Sequence, residues 1–276
     1  MKMLQFLHNN KMGRFLSATH GFTLIEIIGV LAILAIMASV LVPNVAREIK
    51  RAVANAEDRD LEAISNALIV SARERHRIPG TASGDWDTAA AGYLSVPVSK
   101  ILLNRGGTVR RMITRATNDL GGLPYDQSSR FTAGASPTGS LPVSAPSQVR
   151  ILFISNLNGA APAANLNNAQ FDNVWNQSGT IPNGFIENDN TRICRLNLVP
   201  EFFPIAVNCL NSVMGIPRWS LDNAPPKTFN TTGTFTVYLY KGTRINLFTN
   251  NVLQGTIIVN GAYNLTYDGS TSLWSY

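Results

Sequence analysis

The chain has 276 residues, of which 45% are hydrophobic and 14% charged, and its formal net charge is +6. That length and apolar content suit one domain of medium size with appended segments. It has only three histidines, two of them within the first 21 residues. This leaves little from which to build a histidine metal site or a Ser-His-Asp triad.

The positive charge is concentrated toward the N-terminus. Residues 1–130 have a net charge of +5 and residues 131–276 a net charge of +1. The first 21 residues contribute +3 through Lys2, Lys11 and Arg14, and they contain no acid. Positive charge ahead of an apolar segment keeps the N-terminus in the cytoplasm and directs the rest of the chain outward.

An apolar segment comes directly after this basic start. From Phe22 to Val42 its 21 positions are interrupted only by the residues Thr23, Glu26, Gly29 and Ser39. As a helix it measures about 30 Å, enough to cross the hydrocarbon core of a bilayer. A carboxylate is costly there, about 2.5–3.5 kcal/mol at the bilayer centre, so Glu26 needs a partner. Cleavage between Gly21 and Phe22 would place a new amine about one helical turn from it.

The sequence Gly21-Phe-Thr-Leu-Ile-Glu26, followed by an apolar run that ends at Pro43, resembles the N-terminus of class III prepilins. That family comprises type IV pilins and type II secretion pseudopilins. The resemblance implies that a prepilin peptidase cuts after Gly21 and N-methylates Phe22, and that Glu26 acts in assembly. It covers about residues 14–72 and implies an extracytoplasmic domain of pilin-like α+β fold.

Three other interpretations of the apolar segment fit the sequence less well. A secretory signal has a shorter apolar core and an A-x-A-like site. A plain single-span anchor has no need of the GFTLIE sequence at the junction. A buried core helix requires comparably apolar neighbours, which the flanking sequence lacks. Met3 and Met12 are alternative starts, and the second would shorten the leader.

A stem helix is predicted to continue beyond Pro43, which bends it by removing one hydrogen bond and crowding a carbonyl. Apolar residues recur at steps of three to five and form one face as far as about Arg77. This face comprises Val45, Ile49, Val53, Ala56, Leu61, Ile64, Leu68 and Ala72. Charged residues, including Glu57, are assigned to the opposite face, and Ile78-Pro79-Gly80 ends the helix.

The middle of the chain is irregular, with four short elements predicted. They are helices at 98–104 and 108–118, a strand at 151–155, and a short helix ending near Trp175. Residues 132–149 have no charge and are rich in small residues and proline, which is typical of a loop or linker.

The last third alternates apolar and polar residues, as half-buried strands do. Strands are predicted at 234–240, 243–248, 252–259, 262–267 and 270–276. Thr249-Asn250-Asn251 is a predicted turn between two of these strands, and Asn260-Gly261 and Asp268-Gly269 are strong hairpin signals. We therefore expect an α+β, pilin-like fold: a long N-terminal α-helix packed on a C-terminal antiparallel β-sheet, with these strands in a meander.

The two cysteines, Cys194 and Cys209, are predicted to form a disulfide. A turn between Glu201 and Phe202 would place them opposite each other on neighbouring strands. Such a bond is worth on the order of 3 kcal/mol in the chain-entropy model and suits an oxidising compartment. Two buried, unpaired thiols are the alternative.

A basic cluster of Arg105, Arg110, Arg111 and Arg115 surrounds the helix predicted at 108–118. Arg111 and Arg115 would share one face of it. The cluster could contact DNA phosphates, as in pilins used for DNA uptake, although a solvated face or pairing with a neighbouring subunit is favoured.

No catalytic residues, cofactor or metal site are predicted, and an enzyme is not expected. The segment 187–190 contains oxygen ligands but lacks the spacing of an EF-hand calcium loop, and a polar turn is favoured.

The sequence thus predicts four segments: a leader (1–21), a membrane or filament-core helix (22–43), an amphipathic stem (44–78) and a globular extracytoplasmic domain (79–276). The expected function is that of a structural subunit of a type IV pilus-like filament or a type II secretion pseudopilus. Its partners would be homologous subunits, prepilin peptidase, an inner-membrane assembly platform and, before assembly, membrane lipid.

The chain is expected to start as a single-pass protein of the bacterial inner membrane, with its N-terminus in the cytoplasm, and then to join a filament in the periplasm or at the cell surface. A DNA-binding minor pilin and a monomeric membrane-anchored adhesin are the alternatives.

Overall fold

A computed structural model describes residues 23–210, 215–229 and 232–276. The leader with Gly21, and Phe22 after it, lie outside these ranges, so their expected roles are not addressed by the structure. The chain divides into two compact units, residues 1–49 and 50–276, and each is described by itself.

Among the described residues, one long helix and four short ones are formed. They are α1 (Leu24–Arg75), α2 (Trp86–Leu94), α3 (Val98–Leu102), α4 (Gln127–Thr132) and α5 (Asn168–Asn176), with one 3-10 turn at Val199–Glu201.

Thirteen strands are formed by the described residues. They are β1 (Arg77–Ile78), β2 (Arg111–Thr114), β3 (Tyr125–Asp126), β4 (Arg150–Asn156), β5 (Thr191–Asn197), β6 (Phe202–Cys209), β7 (Pro217–Leu221), β8 (Lys227–Thr228), β9 (Gly233–Tyr240), β10 (Arg244–Thr249), β11 (Val252–Ile258), β12 (Tyr263–Asp268) and β13 (Leu273–Ser275). With the long helix α1, they give the α+β class and the pilin-like layout that the sequence predicts.

The second unit packs part of α1 against a three-stranded antiparallel sheet of order β2-β4-β5. Leu61, Ile64, Leu68 and Ala72 of the predicted stem face are buried in this core. Trp86 of α2 and Phe153 of β4 contact each other in the same core, with ring centroids 5.7 Å apart. The apolar period of the helix thus identified its buried face correctly from residue 61 onward.

Strand β4 is apolar at consecutive positions because both faces of its sheet are covered. Ile151 and Phe153 belong to the core shared with α1, whereas Leu152 and Ile154 belong to a second core with Phe171 of α5. Successive side chains of a strand point to opposite faces, so a doubly covered strand has no polar alternation.

The C-terminal strands form two four-stranded sheets, of orders β13-β12-β6-β9 and β11-β10-β7-β8. Their inward side chains share one core, which includes Val207 and Leu265 from the first sheet and Trp219 and Leu247 from the second. Two sheets that bury side chains against each other in this way form a β-sandwich.

This sandwich corrects the predicted meander. β10–β11 and β12–β13 are hairpins, as the turn residues indicated, but β9 pairs with β6 rather than with β10. β12 runs parallel to β6, which no chain of simple hairpins produces. The turn signal at Asn260-Gly261 connects strands of different sheets, because local turn chemistry fixes a reversal of the chain and not the partner of the next strand.

The predicted helix at 108–118 is also wrong. Residues 111–114 form β2, which pairs antiparallel with β4. Met112 and Ile113 are buried on opposite faces of that sheet, in the two different cores. Pairing with an apolar neighbouring strand outweighed the weak local helical preference.

Candidate membrane-spanning and assembly segment

Helix α1 begins with three reciprocal hydrogen bonds between Thr23 and Glu26. The Thr23 backbone N–H donates to Oε2 of Glu26 at 2.8 Å, and its hydroxyl donates to the same oxygen at 2.9 Å. The Glu26 backbone N–H in turn donates to Oγ1 of Thr23 at 3.3 Å. This is a capping box, which satisfies N–H groups that a helix start leaves without partners.

The sequence did not predict this role of Glu26. Its expected partner, the amine of a cleaved Phe22, lies outside the described residues. The capping geometry holds the carboxylate at the first turn, where the helix dipole also favours a negative charge.

The first unit exposes apolar side chains on all sides of α1. Its large apolar residues from Leu24 to Ile49 are between 47% and 78% exposed. The most apolar 18 residues of the helix have a mean hydropathy of 2.7, and none of that window is buried. Length and composition therefore suit a membrane span, and the all-round exposure distinguishes this segment from the one-sided stem beyond it.

Pro43 lies inside α1, which continues on both sides of it. A proline cannot donate to the carbonyl four residues earlier, here that of Ser39. The Ser39 hydroxyl donates to the Ile36 carbonyl at 2.7 Å, and Asn44 Nδ2 donates to the Val40 carbonyl at 3.2 Å. Side chains around Pro43 thus bond to the helix backbone, and the expected kink stays a prediction.

The cysteines do not form the predicted disulfide, and both are free thiols. Cys194 is on β5 beside the core of α1, and Cys209 is on β6 inside the sandwich. The prediction required β5 and β6 to be neighbours, whereas β5 pairs with β4 and β6 pairs with β9 and β12.

Burial raises the pKa of both thiols. For Cys194 burial is the largest cause, partly offset by a hydrogen bond with Ser65. For Cys209 burial alone raises the pKa to about 11. Both side chains are therefore thiols and not thiolates at neutral pH, which makes them poor nucleophiles.

The predicted basic cluster is dispersed, and its central residue is buried. Arg110 is 2% exposed and forms two bonds to the fully buried Glu57, Nε–Oε1 at 2.6 Å and Nη2–Oε2 at 2.9 Å. Its Nη1 donates to the carbonyls of Lys100 and Ile101 at 2.6 and 2.9 Å. This guanidinium is fully used within the fold and is not available to DNA.

The other arginines of that cluster also fail to form a patch. Arg105 lies 3.4 Å from Asp60, and Arg115 lies 3.2 Å from Asp172. Arg111 is on a strand, so the helical spacing that placed it on one face with Arg115 does not apply.

Glu57 is the buried acid that the sequence analysis missed, since it was assigned to the solvated face. A signal existed: Glu57 precedes Leu61 by four positions and Ile64 by seven, the spacing of the buried face. An acid on the apolar face of a helix predicts a buried cationic partner, although not which one.

Polar side chains of the segment 187–190 bond to other residues of the chain. Glu187 pairs with Arg195 at 2.9 Å, and Asn188 Oδ1 accepts from the backbone N–H of Asn190 at 2.8 Å. Within the described ranges no group of three or more His, Cys, Asp and Glu side chains is placed to hold a metal ion.

Comparison with known proteins agrees with the N-terminal geometry. A family model described as a prokaryotic N-terminal methylation motif matches residues 16–42. Neither the curated proteins nor the solved structures include a match to the chain. The motif indicates a structural, pilin-like protein of a kind that is typically not enzymatic. Residues 16–42 of this chain are therefore a class III prepilin signal.

Proposed function

We propose that the chain is a structural subunit of a type IV pilus-like filament or a type II secretion pseudopilus. The observation that carries this proposal is the N-terminal methylation motif, which leads directly into a helix whose apolar side chains are exposed all round. Such a surface is stable only in lipid or against other apolar helices. Membrane insertion would surround this surface with lipid before assembly, and packing against neighbouring stems would cover it afterwards.

In the proposed sequence of events, the positive charge of the leader determines the orientation in the membrane, and the charge of Glu26 acts during assembly. The leader stays in the cytoplasm, prepilin peptidase cuts after Gly21 and methylates Phe22, and the mature chain waits in the inner membrane with its C-terminal unit outside. An assembly platform then transfers it into a filament of homologous subunits. Glu26 pairs there with the Phe22 amine of its own or an adjacent subunit, since a charge among apolar helices is tolerable only when paired.

The test uses Gly21→Ala, Glu26→Ala and Glu26→Gln variants in cells that assemble the filament. Gly21→Ala is expected to leave the leader attached, as N-terminal sequencing would show. Both Glu26 variants are expected to be cleaved normally and to be depleted from sheared filaments by about tenfold, the effect of losing roughly 1.4 kcal/mol. Glu62→Ala, which changes an exposed acid of the same helix, is the control and should assemble normally.

Glu26→Gln separates the two roles of this residue, because glutamine retains the capping box and loses the charge. Normal assembly of Glu26→Gln with poor assembly of Glu26→Ala would assign Glu26 to helix capping and refute the charge-pairing step. Mature protein from Gly21→Ala would refute the cleavage site. A cleaved protein that is absent from every filament would instead favour the membrane-anchored adhesin.

A further inference from the structure

A cavity of the second unit lies where several segments of the chain meet. It has a volume of about 640 Å³ and is lined by residues from the end of α1, from α4, from the β7–β8 turn, from the segment that includes β10 and from β11. That volume is within the range of about 300–1,000 Å³ that is typical of small-molecule sites.

One wall of the cavity is a histidine–aspartate pair. Nδ1 of His76 lies 2.7 Å from Oδ2 of Asp222, and the other carboxylate oxygen accepts the backbone N–H of Arg244 at 2.9 Å. His76 is only 8% exposed, and its Nε2 is buried without a hydrogen-bond partner among the described residues.

Both members of this pair have strained backbones. His76 has φ of 48° and Asp222 has φ of 51°, values that residues other than glycine adopt rarely. Each such residue costs on the order of 1–3 kcal/mol, and such strain clusters at functional sites. The fold thus maintains two strained residues and one unsatisfied nitrogen in the same wall.

Two arginines that line the cavity, Arg75 and Arg244, are available to bind an anion. The carboxylate of Asp222 is already bonded to His76 and to the Arg244 backbone, and Glu74 accepts the hydroxyl of Tyr93. Arg75 lies over the Tyr93 ring at 5.6 Å. Within the described part of the chain neither Arg75 nor Arg244 forms an ion pair. The remaining lining is largely hydroxyl and amide groups: Ser128, Ser129, Thr132 and Asn223.

We infer that this cavity binds a small sugar acid, a ligand with a carboxylate and several hydroxyl groups. The carboxylate would pair with Arg244 and Arg75, because a planar guanidinium matches a carboxylate with two parallel hydrogen bonds. The side chains of Ser128, Ser129 and Asn223 would donate to and accept from the ligand hydroxyls. The Thr132 hydroxyl donates to the carbonyls of Ser128 and Ser129, so it would accept a hydrogen bond from the ligand. This binding role is independent of the proposed assembly role.

The test is calorimetric titration of the full chain in zwitterionic nanodiscs with three probes: galacturonate, galactose and inorganic phosphate. Galacturonate is expected to bind saturably, and galactose and phosphate at least about tenfold more weakly, a difference of about 1.4 kcal/mol. Arg244→Ala and Arg75→Gln should each weaken galacturonate binding by a similar factor. Arg59→Ala, which removes an exposed arginine outside the cavity, should leave it unchanged.

Three results would overturn the assignment. They are the absence of galacturonate binding, galactose or phosphate binding as tight as that of galacturonate, and galacturonate binding that survives both arginine substitutions. Circular dichroism of each variant distinguishes lost binding from lost folding. Filament incorporation is measured separately, so failure here does not bear on assembly.

Discussion

At the scale of single residues, the most consequential contact is the ion pair between Glu57 and Arg110. Both side chains are almost fully buried, 0% and 2% exposed, and are joined by two short bonds. Replacing such a pair by apolar residues is often neutral, but removing one partner leaves a buried charge without compensation. The pair therefore fixes how this part of α1 packs against the elements around Arg110.

Glu57→Gln is expected to lower the free energy of unfolding of the second unit by about 3 kcal/mol, the lower end of the range for a broken buried pair. The lower end applies because Asp60 Oδ2 still lies 3.3 Å from Arg110 Nη2. Changing both partners, Glu57→Leu with Arg110→Met, should recover most of that loss because no charge is then left unpaired. Glu62→Gln, at an exposed position of the same helix, is expected to change the free energy of unfolding by less than about 0.5 kcal/mol. Denaturant unfolding monitored by tryptophan fluorescence checks all three. Equal stability of Glu57→Gln and Glu62→Gln would contradict this expectation.

The free cysteines lead to a second expectation at this scale. Because burial raises both thiol pKa values, alkylation of the native protein should be slow near pH 7 and accelerate as the pH rises toward 9 and beyond. Cys194 is half-buried and Cys209 buried, so Cys194 should react first. Intact-mass measurement with iodoacetamide monitors both. If the two cysteines formed a disulfide, iodoacetamide would label neither of them in denaturant until a reductant was added.

At the scale of elements, α1 changes character along its length. Residues of the first unit expose apolar groups all round, whereas from Ala54 onward one face is buried. The sheet that covers this face is β2-β4-β5. Of the strands predicted as a C-terminal meander, β9 contributes the buried Tyr240 to this core. Sequence periodicity locates a buried face but carries no information about which sheet buries it.

Ile64→Ala is therefore expected to destabilise the second unit by about 2–5 kcal/mol, because it removes atoms from a position that is 1% exposed. Val70→Ala is the matched control: the residue lies on the same helix and is 42% exposed. It should cost less than about 1 kcal/mol. Thermal unfolding compares the two, and similar losses would mean that Ile64 does not lie on the packed face of the helix.

At the scale of the whole molecule, the two units differ in the environment in which their surfaces are stable. The exposed large apolar residues are concentrated in residues 24–49, whereas residues 50–276 bury three hydrophobic cores. Removal of residues 1–21 would also lower the formal net charge from +6 to +3. The proposed cleavage would thus discard the basic residues ahead of the apolar segment and retain its apolar surface.

A fragment comprising residues 50–276 is expected to be soluble and monomeric without detergent, whereas the full chain requires detergent or lipid. Size-exclusion chromatography with light scattering measures both. A four-residue extension, to residues 46–276, controls for the position of the cut and should behave like the shorter fragment. Aggregation of both fragments would show that their apolar cores do not form without the first unit.

The sequence by itself determined the features that depend on neighbours along the chain. These are the prepilin signal at Gly21 to Glu26, the apolar segment that continues from it, the helical face containing Leu61 to Ala72 and the turns of the β10–β11 and β12–β13 hairpins. Each rests on spacing, hydropathy or turn chemistry, which act over a few residues.

Only the tertiary structure decided which distant elements meet. It paired β6 with β9 and β12, placed Cys194 and Cys209 in different sheets, and brought Arg110 to Glu57 and His76 to Asp222. These pairings and side-chain contacts join residues 24 or more positions apart. Their partners are selected by burial and hydrogen bonding in the assembled core, which no local pattern encodes.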